Sequence, residues 1–472
     1  MTRHFLGAGG AEPFPTERHH VCSEAGTASS WLVPLPCVLL LIWPALWNGY
    51  PIVFADTGTY LSQAMHRYLG WDRPPFYSLL IYPLHFGLTT WPVIVTQACV
   101  TVLVLDVTRH ACGVSRWWLL ALTVFLAVGT WLPWIVSELM PDLFTPLLVL
   151  LLTVVVFARC RFTAWRRAVM TAAAAFMIAT QQSSIPLAAA LLIVFIPLRW
   201  VAGRLQTGPI VPHDHASWLA PLLAPGMAIA ALVAMNAVGF GRLSISPYGN
   251  VFLLARVIYD GPGMTVLRRD CPLRHWLLCP YLDDFPQTAD EFLWARSSPI
   301  LLAGGHKAVS ADADAIIHAA LRDEPTHLIA ATWGNTIEQL TRFASGDGLE
   351  PWNIEVNPWI DNYFPIRERA AFHAARQQMG TLSVAPPLAA THFVVALAGI
   401  AAALVLLPIA WRRRHVSAWF LAVALLTVPI SAAITGGLSS PHDRYQSRII
   451  WLPACVAFLA IPALAGRPQR VP

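Results

Sequence analysis

The residues best suited to chemistry stand in the first polar stretch after an apolar segment, at positions 51–84. Asp56 follows the apolar run 52–55, so we expect its carboxylate near a bilayer surface, where desolvation and neighbouring charges tune its proton affinity. A carboxylate in such a place can act as a general base that takes a proton from a hydroxyl group. The alternative is that Asp56 only caps the following helix, a task that Thr57 could share.

A short helix is predicted directly after this aspartate. Tyr60, Ala64 and Tyr68 recur at helical spacing, which is typical of an amphipathic helix lying along the membrane interface, and Gly70 is expected to end it. A turn containing Arg73 follows, before a second, more apolar helix. The sequence therefore places a carboxylate and a guanidinium on one polar connection.

A second acidic connection lies between two later apolar segments. Glu138 and Asp142 are spaced four residues apart, and acidic side chains at a membrane edge are costly enough to be functional by default. They would share one face of a helix, although Pro141 is expected to break a helix there. The alternative is that Ser137, Glu138 and Asp142 stabilise the start of the next helix.

A third polar loop, residues 439–448, precedes the last apolar segment and contains His442, Arg444, Tyr445 and Arg448. The planar, permanently charged fork of arginine can bind phosphate oxygens bidentately at the edge of a low-dielectric cavity. Arg444 and Arg448 lie about one helical turn apart and could share one phosphate group. The alternative is that both side chains snorkel toward lipid head groups.

Composition sets the class of protein. Of the 472 residues 56% are hydrophobic and only 12% are charged, and the mean hydropathy is +0.55. These values exclude an ordinary soluble globular domain and indicate an all-α polytopic membrane protein. The formal charge of +5 is small, so the placement of the arginines is more informative than their sum.

Ten apolar segments predict about ten transmembrane helices with both termini in the cytoplasm. The two shortest, 168–180 and 185–198, are either two tilted spans or a half-penetrating hairpin. The other eight are 31–48, 91–107, 117–136, 143–158, 218–238, 393–411, 418–434 and 449–465.

Arginines next to the segments fall on alternate connections, which the positive-inside rule assigns to the cytoplasm. Four arginines lie on connections of the opposite side and need a functional explanation: Arg67, Arg73, Arg444 and Arg448. The same scheme places Asp56, Glu138 and His442 on that extracytoplasmic side. The candidate chemistry therefore converges on one side of the membrane.

The chain divides into four regions. Residues 1–30 are expected to form a disordered cytoplasmic tail, in which His19, His20 and Cys22 are solvated polar sequence rather than a metal site. Residues 31–240 form an N-terminal transmembrane module whose first extracytoplasmic loop is 49–90, residues 241–388 a mainly helical extracytoplasmic domain, and residues 389–472 a C-terminal transmembrane module.

Several local features are expected within 241–388. Cys271 and Cys279 are the only cysteines predicted outside the cytoplasm and could form a disulfide in an oxidising compartment. Gly, Pro and Asn at 345–365 predict a long loop. Asp283 and Asp284 are interpreted as solvated side chains rather than metal ligands, and the spacing of the eight cysteines does not predict a structural zinc site.

Three motifs resemble the GT-C superfamily of glycosyltransferases, which use polyprenyl-phosphate sugars. The similarity covers residues 55–77, 137–142 and 441–453, and points to bacterial members of the aminoarabinose-transferase and protein-mannosyltransferase type. It implies a GT-C-like helical bundle in the bacterial cytoplasmic (inner) membrane with an extracytoplasmic active site. The 241–388 region matches no domain of that family, and the better-known aminoarabinose transferases carry their soluble domain after the last span.

The resemblance also implies roles for individual residues. Asp56 corresponds to the catalytic base, and Glu138 to an acidic residue that assists acceptor or metal binding; a divalent ion on these two carboxylates is allowed but not required. Arg444, Arg448 and Arg73 would bind the donor phosphate. Other residues would line the acceptor site or cavity: Tyr60, Asp142, His442 and Tyr445.

The activity so implied is inverting transfer of a sugar from a polyprenyl-phosphate donor to an extracytoplasmic glycan, lipid or protein acceptor, with membrane lipid as the surrounding partner and no nucleic acid involved. One alternative is a secondary transporter or lipid flippase, which also carries polar groups at membrane depth. Another is a lipid-binding scaffold without catalysis, which would use the same arginines for head groups.

Overall fold

A computed structural model describes residues 34–158, 161–204 and 216–465 of the chain. The described residues form helices and connecting loops, without a β-strand. The predicted tail at 1–30 lies outside them. Up to the first long connection the helices are α1 (Leu35–Leu41), α2 (Trp43–Asn48), α3 (Ala55–His66), α4 (Phe76–His85), α5 (Trp91–Ala111), α6 (Trp118–Gly129), α7 (Leu132–Val136), α8 (Phe144–Phe157), α9 (Ala164–Thr180), α10 (Ser184–Arg204) and α11 (Ala216–Phe240).

The remaining helices follow in two groups. The first group is α12 (Gly249–Tyr259), α13 (Pro262–Arg274), α14 (Ala289–Trp294), α15 (Pro299–Leu302), α16 (His306–Asp323), α17 (Pro325–Thr341), α18 (Asn353–Tyr363) and α19 (Ile366–His373). The second group is α20 (Pro386–Arg412), α21 (Ser417–Leu438), α22 (Asp443–Ser447) and α23 (Leu452–Ala465).

Five stretches of the described chain are helical, long and apolar enough to cross a membrane: Trp91–Ala111, Pro221–Phe240, Pro386–Arg412, Ser417–Leu438 and Asp443–Ala465. The fold is thus a helical one with the composition of a membrane protein. Other predicted crossings are shorter or interrupted, so the count of ten stays a prediction. Residues 31–48, for example, contain two helices, because Ile42 leaves the helical conformation between α1 and α2 at φ −106° and ψ 9°.

The apolar segment 117–136 is also interrupted. α6 ends at Gly129 and Thr130 is extended, before α7 begins at Leu132. The segments 168–180 and 185–198 form two separate helices, α9 and α10. α3 ends at His66, four residues before the predicted end, with Arg67 in the left-handed conformation at φ 53°.

The segment between α11 and α20 contributes to two separate hydrophobic cores. Helices α12 to α16 pack around their own apolar core, which contains Val251, Phe292 and Ile316. Residues 349–382 instead contribute to the large core shared with the apolar bundle. The predicted disulfide between Cys271 and Cys279 is confirmed, and it joins the end of α13 to the loop that follows.

The predicted long loop at 345–365 is wrong in its second half, which forms α18. Val356 and Ile360, one turn apart, are fully buried and turn one face of this helix toward the bundle. α18 packs on α3 so closely that a Cβ at Gly58 would collide with the backbone carbonyl of Glu355. Burial of this face outweighs the local turn propensity of Gly, Pro and Asn.

Candidate active site

Asp56 does not cap the start of α3, because the neighbouring Thr57 makes the side-chain hydrogen bonds there. The Thr57 hydroxyl oxygen accepts a hydrogen bond from the Phe54 backbone N–H at 2.9 Å, and the Thr57 hydroxyl donates to the Leu139 carbonyl at 3.2 Å. Thr57, rather than Asp56, therefore performs the side-chain work of the helix start. The Asp56 carboxylate points to Arg73 instead.

Asp56 and Arg73 form a bidentate ion pair. The Arg73 Nε and Nη2 groups each donate to one carboxylate oxygen at 2.8 Å. Both side chains are about a quarter exposed, at 23% for Asp56 and 24% for Arg73. This geometry holds two opposite charges in a fixed orientation while leaving them open to an incoming ligand.

Helices outside the bundle fix the loop that carries Arg73. The Trp71 ring stacks on His306 with ring centroids 3.8 Å apart and also packs on Phe252 and Trp294. The Arg73 guanidinium lies 5.5 Å from the centre of the Trp294 ring. The core formed by α12 to α16 thus holds the loop between α3 and α4.

Glu138 is placed by backbone pairing rather than by a helix. The Ile52 N–H donates to the Ser137 carbonyl at 2.9 Å, and the Leu139 N–H donates to the Ile52 carbonyl at 2.8 Å. The Gln97 side-chain amide donates to the Glu138 carbonyl at 2.8 Å. The first and second polar connections therefore lie side by side.

Asp142 joins two arginines. The Arg444 Nη1 donates to Glu138 at 3.0 Å and its Nη2 to Asp142 at 2.8 Å, while Arg448 Nη1 donates to the other Asp142 oxygen at 2.7 Å. The Asp142 and Arg448 side chains are only 5% and 2% exposed. These contacts are incompatible with the alternatives in which the acids cap α8 and the arginines snorkel to lipid head groups.

As expected, Pro141 prevents a continuous helix through the acidic pair. Met140 is extended, and Pro141–Leu143 form a single 3₁₀ turn before α8. Glu138 and Asp142 nevertheless meet at one guanidinium, because the chain doubles back between them. The short α22 carries Arg444, and Arg448 follows directly after its last residue.

The two ion-pair clusters are adjacent. The Phe54 ring, two residues before Asp56, lies 3.6 Å from the Arg444 guanidinium carbon and makes a cation–π contact with it. The charges of Asp56, Arg73 and Asp142 all act on the Tyr60 hydroxyl group, so Tyr60 is close to both clusters. Residues from three loops that are far apart in the sequence thus form one polar site, which we call the carboxylate–arginine site: Asp56, Arg73, Glu138, Asp142, Arg444 and Arg448.

Tyr60 lines the back of this site. Its ring is buried against Tyr77 with centroids 4.9 Å apart, and the Tyr77 hydroxyl donates to Gln97 at 2.7 Å. Burial, followed by the negative charge of Asp56, raises the pKa of Tyr60 above its usual range. Tyr60 is therefore a neutral phenol at physiological pH.

Glu138 has an unusual proton affinity. Burial raises its pKa to about 7, with Asp142 adding to the rise and Arg444 opposing it. Glu138 therefore changes between its protonated and ionised forms close to neutral pH. With Glu138 ionised, three carboxylates balance three guanidinium groups in the site; with Glu138 protonated, the site carries one net positive charge.

His442 and Tyr445 lie at the edge rather than in the carboxylate–arginine site. The His442 ring makes an ion-pair contact with Asp290 at 3.1 Å, and this hydrogen bond raises the pKa of His442. The Tyr445 hydroxyl is within 3.2 Å of the Ser439 hydroxyl, and Arg448 lies 5.4 Å from the Tyr445 ring centre. Both residues shape the loop that presents the arginines.

The chain just before α18, which includes the first half of the predicted loop 345–365, holds the loop 439–448 from outside through Asp347, a residue that the sequence did not single out. The Asp347 carboxylate accepts from the Arg444 backbone N–H at 2.8 Å, and the Asp443 carboxylate accepts from the Ala344 N–H at 2.7 Å. Asp347 lies between Gly346 and Gly348, both with positive φ, and this Gly-Asp-Gly pattern was the available signal for a specialised turn.

The carboxylates do not fit a divalent metal ion. Arg73 binds both Asp56 oxygens, Arg444 and Arg448 bind the two Asp142 oxygens, and Arg444 binds one Glu138 oxygen, so five of the six carboxylate oxygens already face guanidinium groups. Within the part of the chain that the structure describes, His, Cys, Asp and Glu side chains form no group of three or more suited to a metal. The chemistry of the site is therefore argued from its own side chains.

No protein-family model matches the chain, and no curated protein and no solved structure matches it.

Proposed function

We propose that the chain is a GT-C-type membrane glycosyltransferase that moves a sugar from a polyprenyl-phosphate donor to an extracytoplasmic acceptor with inversion. The observation that carries the proposal is the partly open Asp56–Arg73 pair beside the buried Arg444 cluster. The pair offers one group for a hydroxyl proton and one for a phosphate. In this proposal the bundle has about ten crossings and lies in a bacterial inner membrane.

The position of the site suits a lipid-linked donor. Arg444 lies in the first turn of the apolar helix region Asp443–Ala465, and Arg73 lies three residues before the start of the apolar helix α4. A phosphate at these guanidinium groups can stay near the membrane surface while its lipid tail remains among apolar side chains. A free sugar nucleotide has no lipid tail that could lie among these apolar side chains.

The arginines would divide the work according to their exposure. Arg73, which is open to solvent, contacts the donor phosphate directly, and Arg444, with 11% of its side chain exposed, approaches it from the other cluster. Arg448 is 2% exposed and mainly holds Asp142, which in turn fixes Arg444. Phosphate binding at Arg73 would weaken its bond to Asp56 and so release the base when the donor arrives.

The reaction then balances as a single displacement. The Asp56 carboxylate takes the proton of an acceptor hydroxyl, and the hydroxyl oxygen forms a bond to the anomeric carbon. The bond between that carbon and the phosphate oxygen breaks, and its electron pair leaves with the polyprenyl phosphate. Arg73 and Arg444 stabilise the charge that develops on this leaving group.

Purified protein in lipid nanodiscs tests the proposal when incubated with a radiolabelled polyprenyl-phosphate sugar and extracted cell-envelope acceptors. A transferase consumes the donor and releases free polyprenyl phosphate. The same protein reconstituted in sealed vesicles distinguishes the alternatives, because a transporter or flippase moves the intact donor between the leaflets and a scaffold binds it unchanged. Intact donor after prolonged incubation with folded protein would refute the transferase proposal.

A further inference from the structure

We propose that α17 is seated in the outer leaflet of the membrane, with lipid as its partner, although the sequence places it in an extracytoplasmic domain. The proposal concerns the surface made by Ile329, Trp333 and Ile337, which we call the α17 stripe. These residues follow one another at intervals of four and lie on one side of the helix. The proposed membrane position of α17 does not depend on the enzymatic activity.

The α17 stripe is far more apolar than a water-facing surface requires. Ile329, Trp333 and Ile337 are 69%, 68% and 46% exposed. The preceding helix provides the comparison, because α16 exposes Lys307, Asp314 and His318 on its outer side. Exposed apolar side chains in a continuous row mark an interaction surface, and tryptophan is typical of the membrane interface.

The opposite side of α17 packs along a helix that is able to cross the membrane. A Cβ at Gly436 of α21 would lie 2.6 Å from the Asn335 carbonyl oxygen, so the two backbones touch. Further along, Leu340 packs against a small apolar cluster that includes Val428, eight residues earlier in α21. α17 therefore runs antiparallel to α21 for about 12 Å from the end of that helix.

Exposed apolar side chains of a second helix lie near the end of α17. Phe343, just after α17, stacks on Phe393 of α20 with ring centroids 5.2 Å apart. Phe393 and its neighbours Val394 and Leu397 are about half exposed on α20, which is itself long and apolar enough to span a bilayer. The α17 stripe thus lies beside an apolar surface that already needs lipid around it.

The buried side of α17 fixes its rotation. The Gln339 amide N–H donates to the His442 carbonyl at 2.8 Å, and the Gln339 amide oxygen accepts from the His442 N–H at 3.0 Å. With Gln339 bound to this loop, the helix cannot turn the stripe inward. Lipid is the partner that accepts the stripe without moving the loop next to Arg444.

Site-directed fluorescence measures the surroundings of the stripe. In protein whose six cysteines outside the disulfide are replaced, a bimane label is attached at Trp333→Cys or Ile329→Cys, and at His318→Cys of α16 as the control. Each protein is placed in nanodiscs and exposed either to lipids with a nitroxide near the head group or to iodide in water. Size-exclusion profiles establish that each variant is folded.

Lipid nitroxide should quench the labels at 333 and 329 strongly and the label at 318 weakly, with iodide showing the reverse order. Strong iodide quenching at 333 and 329 would place the stripe in water and overturn the proposal. Protection from both quenchers would mean that protein, such as a second copy of the chain, covers the stripe, and would overturn it as well.

Discussion

Asp142→Asn tests whether the buried cluster is the structural centre of the site. Asp142 accepts from Arg444 at 2.8 Å and from Arg448 at 2.7 Å, and in the substituted protein Arg444 still has Glu138. Arg448 would lose its carboxylate partner while remaining buried. Removing one partner of a buried ion pair costs about 3–5 kcal/mol, so we expect the free energy of unfolding to fall by roughly 3 kcal/mol.

The measurement is equilibrium unfolding in mixed detergent micelles, followed by tryptophan fluorescence. Asp56→Asn is the matched control, because it makes the same chemical change at a pair that is about a quarter exposed, where an ion pair contributes about 0–1 kcal/mol. Adding Arg448→Met to Asp142→Asn removes the unpaired charge and should restore part of the lost stability. If Asp142→Asn cost no more than Asp56→Asn, the cluster would not have the energetic role we assign to it.

Three further predictions use other parts of the site. Because Glu138 loses its proton as the pH rises through about 7, affinity for the donor phosphodiester should fall between pH 6 and 8 in the natural protein, and Glu138→Gln should show little pH dependence in the same binding assay. Trp71→Ala removes aromatic contacts worth about 0.5–1.5 kcal/mol each and should weaken donor binding roughly tenfold, whereas Trp71→Phe should bind nearly normally; equal binding by both would show that the loop needs no such support. Gly58→Ala forces a Cβ against the Glu355 carbonyl and should lower the free energy of unfolding by about 1–3 kcal/mol, the cost of overpacking; unchanged stability would show that α3 and α18 separate easily.

Helical periodicity and composition were sufficient to predict where the apolar helices lie. The segment 91–107 became α5 and the segment 393–411 became α20, because long apolar runs have few other options in a bilayer. The break at Ile42 and the helix α18 were missed, since both depend on packing against distant residues. α18 is formed because Val356 and Ile360 are buried, a fact that local turn residues do not reveal.

The residues of the site were easier to predict than the ion pairs and hydrogen bonds that they form. Spacing and charge singled out Asp56, Glu138 and Arg444, yet the sequence did not show that Arg73 binds Asp56 rather than joining Arg444. Ion pairs between residues separated by about 300 positions depend on how the helices meet. Asp347 was missed for the same reason, because its partner is a backbone N–H of the last loop.

Asp56→Asn is the most direct test of whether Asp56 accepts the proton of the acceptor hydroxyl. The substitution keeps the shape of the side chain but removes the base, so turnover of the polyprenyl-phosphate sugar should fall by roughly 10²–10⁴-fold. Donor binding, measured on the same nanodiscs, should survive, because the phosphate contacts belong to arginines. Transfer at the natural rate by folded Asp56→Asn protein would contradict the account, and the base would have to be another residue.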